Sequence, residues 1–295
     1  TRYDVLYTDL NKEDARKMGI EIVPISVRFG DEEFLDGVEI THEEFYTRLA
    51  ECDELPKTSQ PSPDTFMKVF NEAVAAGDDV LGIFISSDLS GTYQSACLAA
   101  LDVEEETRKK LYMVDSRSAS IGTALLIREA VKLRDAGVNV SDIAAACTER
   151  SKYIKLTAVV GSLKYLKMGG RLSGAAAFAG TMLHITPVVS IEDGKVVVIG
   201  KTRGKKAAEK LMHDKLIKDG LSLTRDFMFG HINCSESLET FINKSLTYIS
   251  DVNGNVGVSS IGCSVGAHVG PGTYGIAYVE AAESGMNRES IVKTA

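Results

Sequence analysis

Residues 80–100 read VLGIFISSDLSGTYQSACLAA, and the three parts of this stretch decide the fold. Val80 to Ile85 is an almost unbroken apolar run of strand length, the pattern of a strand buried on both faces of a parallel sheet. Ser86 to Thr92 is a turn of small polar residues. Tyr93 to Ala100 is Ala-rich and helical, with Ser90 at the expected N-cap and Gly91 and Thr92 adding little bulk. A strand that ends in hydroxyls and opens a helix offers backbone N–H groups and partial positive charge, which suits an anion. Such junctions also form for structural reasons alone. Here Ser86, Ser87, Ser90, Thr92 and Tyr93 exceed what one cap needs.

Working outward, Tyr3 to Tyr7 reads as a strand ending at Thr8-Asp9, and Leu111 to Val114 as another, ending at Asp115-Ser116-Arg117-Ser118. Helices are expected from about Ser118 to Ala136 and, capped by Ser141, to about Arg150. This alternation implies a parallel sheet with helices on both faces. Ligands of such sheets sit beyond the carboxyl ends of the strands, where these turns gather. Between the first two of these strands, Ile20 to Phe29 reads as a strand and Thr41-His42-Glu43-Glu44 as a capping box. In Lys57-Thr58-Ser59-Gln60-Pro61-Ser62-Pro63 the prolines keep the chain extended, and Ser62 caps a helix with Pro63 at its first position. The segment is either a plain connection into that helix or the hydroxyl-rich wall of a site.

The character changes after Ile154 to Val160. Gly161 to Met168 reads as helical, then Gly169-Gly170-Arg171, then an uncharged small-residue helix from Ser173 to Leu183. Glu192-Asp193-Gly194 joins two strands as a hairpin. Strands at Phe227 to Ile232, Asn255 to Gly262 and Tyr274 to Glu280, with a helix from about Glu236 to Ile249, make this half two-layer α+β. Gly266 to Gly272 reads as a glycine-rich turn carrying His268.

Composition bounds the function. With 295 residues the chain is long enough for two domains, and a net charge of −8 argues against nucleic acid as the main partner. Five cysteines, none in a C-x-x-C pair, point to reduced structural thiols in a cytoplasmic protein and away from metal ligation. No signal-peptide pattern opens the sequence. The most apolar stretch, Ala175 to Val189, contains His184 and Pro187, so no stable membrane insertion is expected.

Thr58-Ser59-Gln60-Pro61-Ser62, Ser90-Gly91-Thr92-Tyr93, Gly169-Gly170-Arg171-Leu172-Ser173 and Gly266-Ala267-His268-Val269-Gly270-Pro271-Gly272 together resemble the DegV family, in its order and spacing. These are bacterial fatty-acid-binding proteins, among them the binding subunits of fatty-acid kinase. The resemblance spans essentially the whole chain. It implies an α/β protein: a parallel-sheet α/β N-terminal domain (1–155), a two-layer α+β C-terminal domain (156–295) and a lipid channel between them. It further implies a non-catalytic role with no cofactor and no metal. The ligand would be a long-chain fatty acid such as palmitate, stearate or oleate. Its carboxylate would be held by Thr58 or Ser59 and by Ser90 and Gly91, with His268 close by. Arg171 matches a position associated with the kinase catalytic subunit, the partner that phosphorylates the bound acid for phospholipid synthesis. One departure stands out: where the family opens with strand-T-D-S-x-x-D-L, here Thr8-Asp9 runs directly into Leu10.

Elementary energetics agrees with such a ligand. Burial yields about 0.8 kcal/mol per CH₂, so about fifteen methylenes supply on the order of 12 kcal/mol gross. A helix N-terminus adds about 0.3–1 kcal/mol and each hydrogen bond about 1 kcal/mol. The tail therefore governs affinity and the hydroxyls govern orientation. A serine hydrolase with Ser90 as nucleophile, His268 as base and Asp115 as orienter is the alternative, but nothing in the turn that carries Ser90 resembles a G-x-S-x-G elbow. A Rossmann-type nucleotide enzyme would carry a G-x-G-x-x-G after its first strand, and none follows the first strand here. A lipid-responsive regulator would use the same binding chemistry.

Overall fold

A computed structural model describes residues 3–4, 12–52, 54–178, 185–221, 225–247 and 255–281. The Thr8-Asp9-Leu10 junction lies outside them. The chain divides into two compact units, Thr1–Lys152 with Gly262–Ala267, and Tyr153–Ile261 with His268–Ala295. The sequence reading set a single boundary at 155/156 and gave no sign that Gly262–Ala267 returns to the first unit.

The first unit opens with β1 (Tyr3–Asp4) and α1 (Lys12–Met18). A small antiparallel sheet follows, built from β2 (Ser26–Phe29), β3 (Glu32–Leu35) and, after α2 (His42–Glu51), β4 (Lys57–Ser59). β2 is its central strand and fixes the register of β4, with Val27 opposite Thr58 and Ser26 opposite Ser59. The capping box of α2 forms as read: the Thr41 hydroxyl accepts from the Glu44 N–H, and the Glu44 carboxylate accepts from the Thr41 N–H. The Ser62 cap with Pro63 at the first position also forms, opening α3 (Pro63–Ala75). The predicted strand over residues 20–29 is regular only from Ser26, because among the described residues no partner strand lies alongside its first half.

The parallel sheet has the order β1, β5 (Asp79–Phe84), β6 (Leu111–Asp115). β5 is its middle strand and Val80 to Phe84 are all buried, which is why its sequence is apolar without alternation. α4 (Thr92–Thr107) covers it with Ala96, Ala99, Ala100 and Val103, one helical face packed on Phe66, Phe70 and Phe84. α5 (Ile121–Asp135) and α6 (Val140–Arg150) pack against β5 and β6. Asn139, not Ser141, caps α6: its Oδ1 accepts from the Asp142 N–H at 3.0 Å and from the Ser141 hydroxyl at 2.6 Å. Asn139 has the extended backbone a cap requires, whereas Ser141, two residues on, is already the second residue of the helix.

The second unit is a six-stranded mixed sheet. In chain order it comprises β7 (Ile154–Val159), α7 (Lys164–Met168), a single 3₁₀ turn over Ala175–Phe178, then β8 (Thr186–Glu192) and β9 (Lys195–Thr202). These are followed by α8 (Lys205–Asp219), β10 (Phe227–His231), α9 (Ser235–Ser245), β11 (Val256–Ser260) and β12 (Tyr274–Val279). Strand order is β11-β10-β12-β7-β8-β9, parallel only between β10 and β11. The β8–β9 hairpin turns at Asp193-Gly194, whose φ values of 48° and 81° are the paired positive angles a two-residue hairpin needs. Phe227, Phe229, Phe241 and Tyr274 form the aromatic centre of the core. The helix expected over residues 173–183 is absent where it is described. Leu172 bridges Val196 and the Ser173 N–H donates to the Val196 carbonyl, so the chain runs as an added strand edge before the 3₁₀ turn. Residues 179–184 lie outside the description.

The largest correction concerns Gly266 to Gly272. Its first four residues belong to a helix, α10 (Cys263–Val269), and the turn begins only after it. The reason is distant in sequence. The Asp36 carboxylate accepts from the Cys263 N–H at 3.1 Å and the Ser264 N–H at 2.7 Å, starting a helix that local propensity does not favour. No helix among the described residues is long and apolar enough to cross a membrane.

Candidate functional site

Within the first unit, the hydroxyl-bearing segments converge. β4 carries half-buried Thr58 and exposed Ser59, and the chain then passes directly beside the turn after β5. The Gln60 side chain lies over the Cα of Gly91, in the space a side chain there would occupy. The Ser95 hydroxyl donates to the Pro61 carbonyl at 2.7 Å, fastening the same segment to the first turn of α4. Thr58, Ser59, Ser90 and Gly91 thus stand on two adjacent, mutually braced segments.

Ser90 does not cap α4 as predicted. Gly91 occupies the cap position and offers no side-chain acceptor. Ser90 is half-buried; its Oγ pairs with Thr92 Oγ1 at 2.8 Å and accepts from the Thr92 N–H at 3.3 Å. The helix therefore starts with N–H groups that no Gly91 side chain satisfies. Tyr93 follows; burial and its hydrogen bond to Cys97 push its phenol up to about 12, so it is a neutral donor at pH 7.

The turn after β6 leans on this one. The Ser86 N–H donates to the Ser118 carbonyl at 2.8 Å and the Ser116 N–H to the Phe84 carbonyl at 3.0 Å. Asp115 holds both turns, accepting from the Ser87 N–H at 3.3 Å and the Arg117 N–H at 2.8 Å. Arg117 and Ser120 have positive φ (51° and 49°), a backbone strain sequence patterns do not announce. Ser118 Oγ is buried without a hydrogen-bond partner.

These facts weigh against the hydrolase alternative. The Ser90 hydroxyl is engaged with Thr92, and the Asp115 carboxylate is taken by backbone amides rather than by an imidazole.

Within the second unit, the other two motifs meet. α7 ends in Gly169-Gly170, and a Cβ on Gly169 would fall on His268 Nδ1. The Tyr165 ring lies against the Cα of Gly270, and a Cβ on Gly161 would sit 2.6 Å from the Pro271 carbonyl oxygen. Arg171 is held by its own turn, donating from Nη1 to the Gly169 carbonyl at 2.6 Å. Burial, and secondarily the Arg171 charge, bring the His268 imidazole down to about 4, so it is neutral at physiological pH. Glycine is needed here because its neighbours' rings occupy the Cβ positions. Ser90 and its companions belong to the first unit, Arg171 and His268 to the second.

One grouping escaped sequence reading. Asp36, His42 and Cys263 place a carboxylate oxygen, an imidazole nitrogen and a thiol within 4.8 Å of one another, although no local spacing announces them. No disulfide joins the five cysteines.

Comparison with known proteins gives the family of the chain. The sequence model of the family described as "Uncharacterised protein, DegV family" matches residues 7–281. A DegV domain-containing protein of Clostridium acetobutylicum is 36% identical over 279 residues, covering 91% of this chain and 93% of that protein. Among solved structures, a fatty-acid-binding DegV family protein from Thermus thermophilus superposes with a TM-score of 0.84 at 31% identity, covering 95% of this chain and all (100%) of that one. A stearic-acid-binding protein from Eubacterium ventriosum gives 0.81 at 27% identity, covering 96% and 99%.

Proposed function

The chain belongs to the DegV family, and from that membership we propose that it binds one long-chain fatty acid, with Thr58, Ser59, Ser90 and Gly91 receiving the carboxylate. The observation that carries this is the packing of Gln60 on Gly91, which gathers hydroxyls from two segments beside the opening turn of α4. Neutral hydroxyls and helix N–H groups hold a carboxylate without the ion pair that would occupy its oxygens. That suits an acid whose carboxylate must afterwards act as a nucleophile.

Structurally similar proteins support the ligand class, since those from Thermus thermophilus and Eubacterium ventriosum bind fatty acids. The chain itself performs no chemistry in this reading. It presents the acid to a separate fatty-acid kinase catalytic subunit, which forms the acyl phosphate, and Arg171 serves that step. Neutral His268 is available as a hydrogen-bonding group rather than as a cation.

Native mass spectrometry of the freshly purified chain, with lipid extraction of the same sample, tests the first part. A stoichiometric added mass matching a saturated or unsaturated long-chain fatty acid is expected. A ligand-free protein that also refuses added palmitate and oleate would overturn the proposal. Adding a fatty-acid kinase catalytic subunit and ATP to the loaded protein tests the second part, through acyl-phosphate formation.

A further inference from the structure

Asp36, His42 and Cys263 come from three places in the first unit: the loop after β3, the first residue of α2 and the first residue of α10. Their backbones are each fixed. The Asp36 N–H donates to the Ile25 carbonyl at 2.9 Å, α2 is closed by its capping box, and Cys263 is tied to Asp36 itself. Asp36 and Cys263 are buried, while His42 is half-exposed, so the group is reachable from one side.

We propose that Asp36, His42 and Cys263 form a binding site for a zinc-like divalent cation. One carboxylate, one imidazole and one thiol make the mixed O/N/S set that zinc accepts, with a fourth position left for water. In a tetrahedral site such atoms stand about 3.3–3.6 Å apart. Side-chain torsions would have to close the observed spacing, within 4.8 Å, to that.

The chemistry around the group fits. Asp36 spends one lone pair of each oxygen on the Cys263 and Ser264 N–H groups and keeps another on each for a metal. Those two amides orient the carboxylate as outer partners do in zinc proteins. The Cys263 thiol makes a long contact, 3.9 Å, to the Thr41 carbonyl, and a metal would replace it. Binding removes the thiol proton to solvent, so the cation's two charges meet one carboxylate and one thiolate, and a neutral assembly is left in a buried place. The cation would pin Gly262–Ala267 to the first unit, at the base of the helix on which His268 follows.

The test uses the full-length, reduced protein after chelation, titrated with Co²⁺ as a spectroscopic probe and then with Zn²⁺ in competition. One Co²⁺ per chain with a thiolate-to-cobalt charge-transfer band is expected. Cys263→Ser should abolish the band, and His42→Asn should weaken Zn²⁺ binding at least about a hundredfold, the upper range for losing even an outer partner. Cys52→Ser should change nothing. No stoichiometric binding, or a band that survives Cys263→Ser, would overturn the site. If Cys263→Ser fails to fold, His42→Asn decides, since its ring is half-exposed: unchanged Zn²⁺ affinity there would overturn the site as well.

Discussion

The Gln60 side chain occupies the space above the Cα of Gly91, so residue 91 can carry no side chain unless Gln60 moves away. The atoms in the way are the free end of a flexible side chain, which can rotate. Gly91→Ala should therefore cost little stability, up to about 1.5 kcal/mol. It should weaken fatty-acid binding more than it lowers the melting temperature, because Gln60 braces the segment carrying Thr58 and Ser59. Pairing it with Gln60→Ala should restore the stability. A double variant no more stable than Gly91→Ala would show that the cost lies in the turn backbone.

The corresponding contact in the second unit is less forgiving. A methyl on Gly169 meets His268 Nδ1 and stands 3.1 Å from the Tyr165 carbonyl oxygen, which cannot rotate away. Gly169→Ala should destabilise by about 1–3 kcal/mol, the range for overpacking. A double-mutant cycle with His268→Ala checks this. Partial rescue is expected, because removing the ring relieves one of the two collisions. Additive losses would contradict the packing.

His268 also sets a pH dependence. Its folded-state pKa, about 4, lies below the ordinary 6.5 because burial and then the Arg171 charge disfavour the cation. Between those values the unfolded chain binds the extra proton, so stability falls as pH drops from about 6.5 to about 4. A shift of this size is worth on the order of 3–4 kcal/mol at most, less where solvent reaches the ring. His213 and His231 are lowered too and act in the same direction. Urea melts at pH 7 and pH 4.5 for the parent and for His268→Gln isolate the one residue. The variant should lose less stability over that interval, and equal losses would refute the assignment.

What sequence made legible was what short-range physics controls. The unbroken apolar run at Val80 to Phe84 marked the middle strand because both its faces are covered. The caps at Thr41 and Ser62 lie within three residues of the groups they bond, so their patterns are local. The helix at Cys263–Val269 was hidden because its capping carboxylate, Asp36, lies 227 residues away from Cys263. The same separation concealed the Asp36–His42–Cys263 group. Ser90 was misread as the cap because a serine before a helix usually bonds the N–H two or three residues on. Here the hydroxyl does bond the N–H two residues on, that of Thr92, but Thr92 is itself the first residue of the helix, so Gly91 holds the cap position. The four motifs could be recognised together, by their order and spacing, but their pairwise packing, Gln60 on Gly91 and Gly169 on His268, required the fold.

Ser90 allows the division of labour between tail and head group to be measured. Its hydroxyl pairs with Thr92 Oγ1 at 2.8 Å, so Ser90→Ala removes a local bond along with any bond to the ligand. One hydrogen bond is worth about 0.5–1.5 kcal/mol, whereas each buried methylene of a bound acid contributes about 0.8 kcal/mol. Affinity for palmitate should therefore fall by about tenfold or less, and shortening the acid by four carbons should cost more than the mutation does. Phosphorylation by a kinase partner should fall further than binding, since transfer depends on where the carboxylate points. Calorimetric titration of both acids into parent and variant gives the first comparison, and initial rates at saturating acid give the second. A variant that folds normally yet binds no fatty acid would mean that the Ser90 hydroxyl, not the tail, governs affinity.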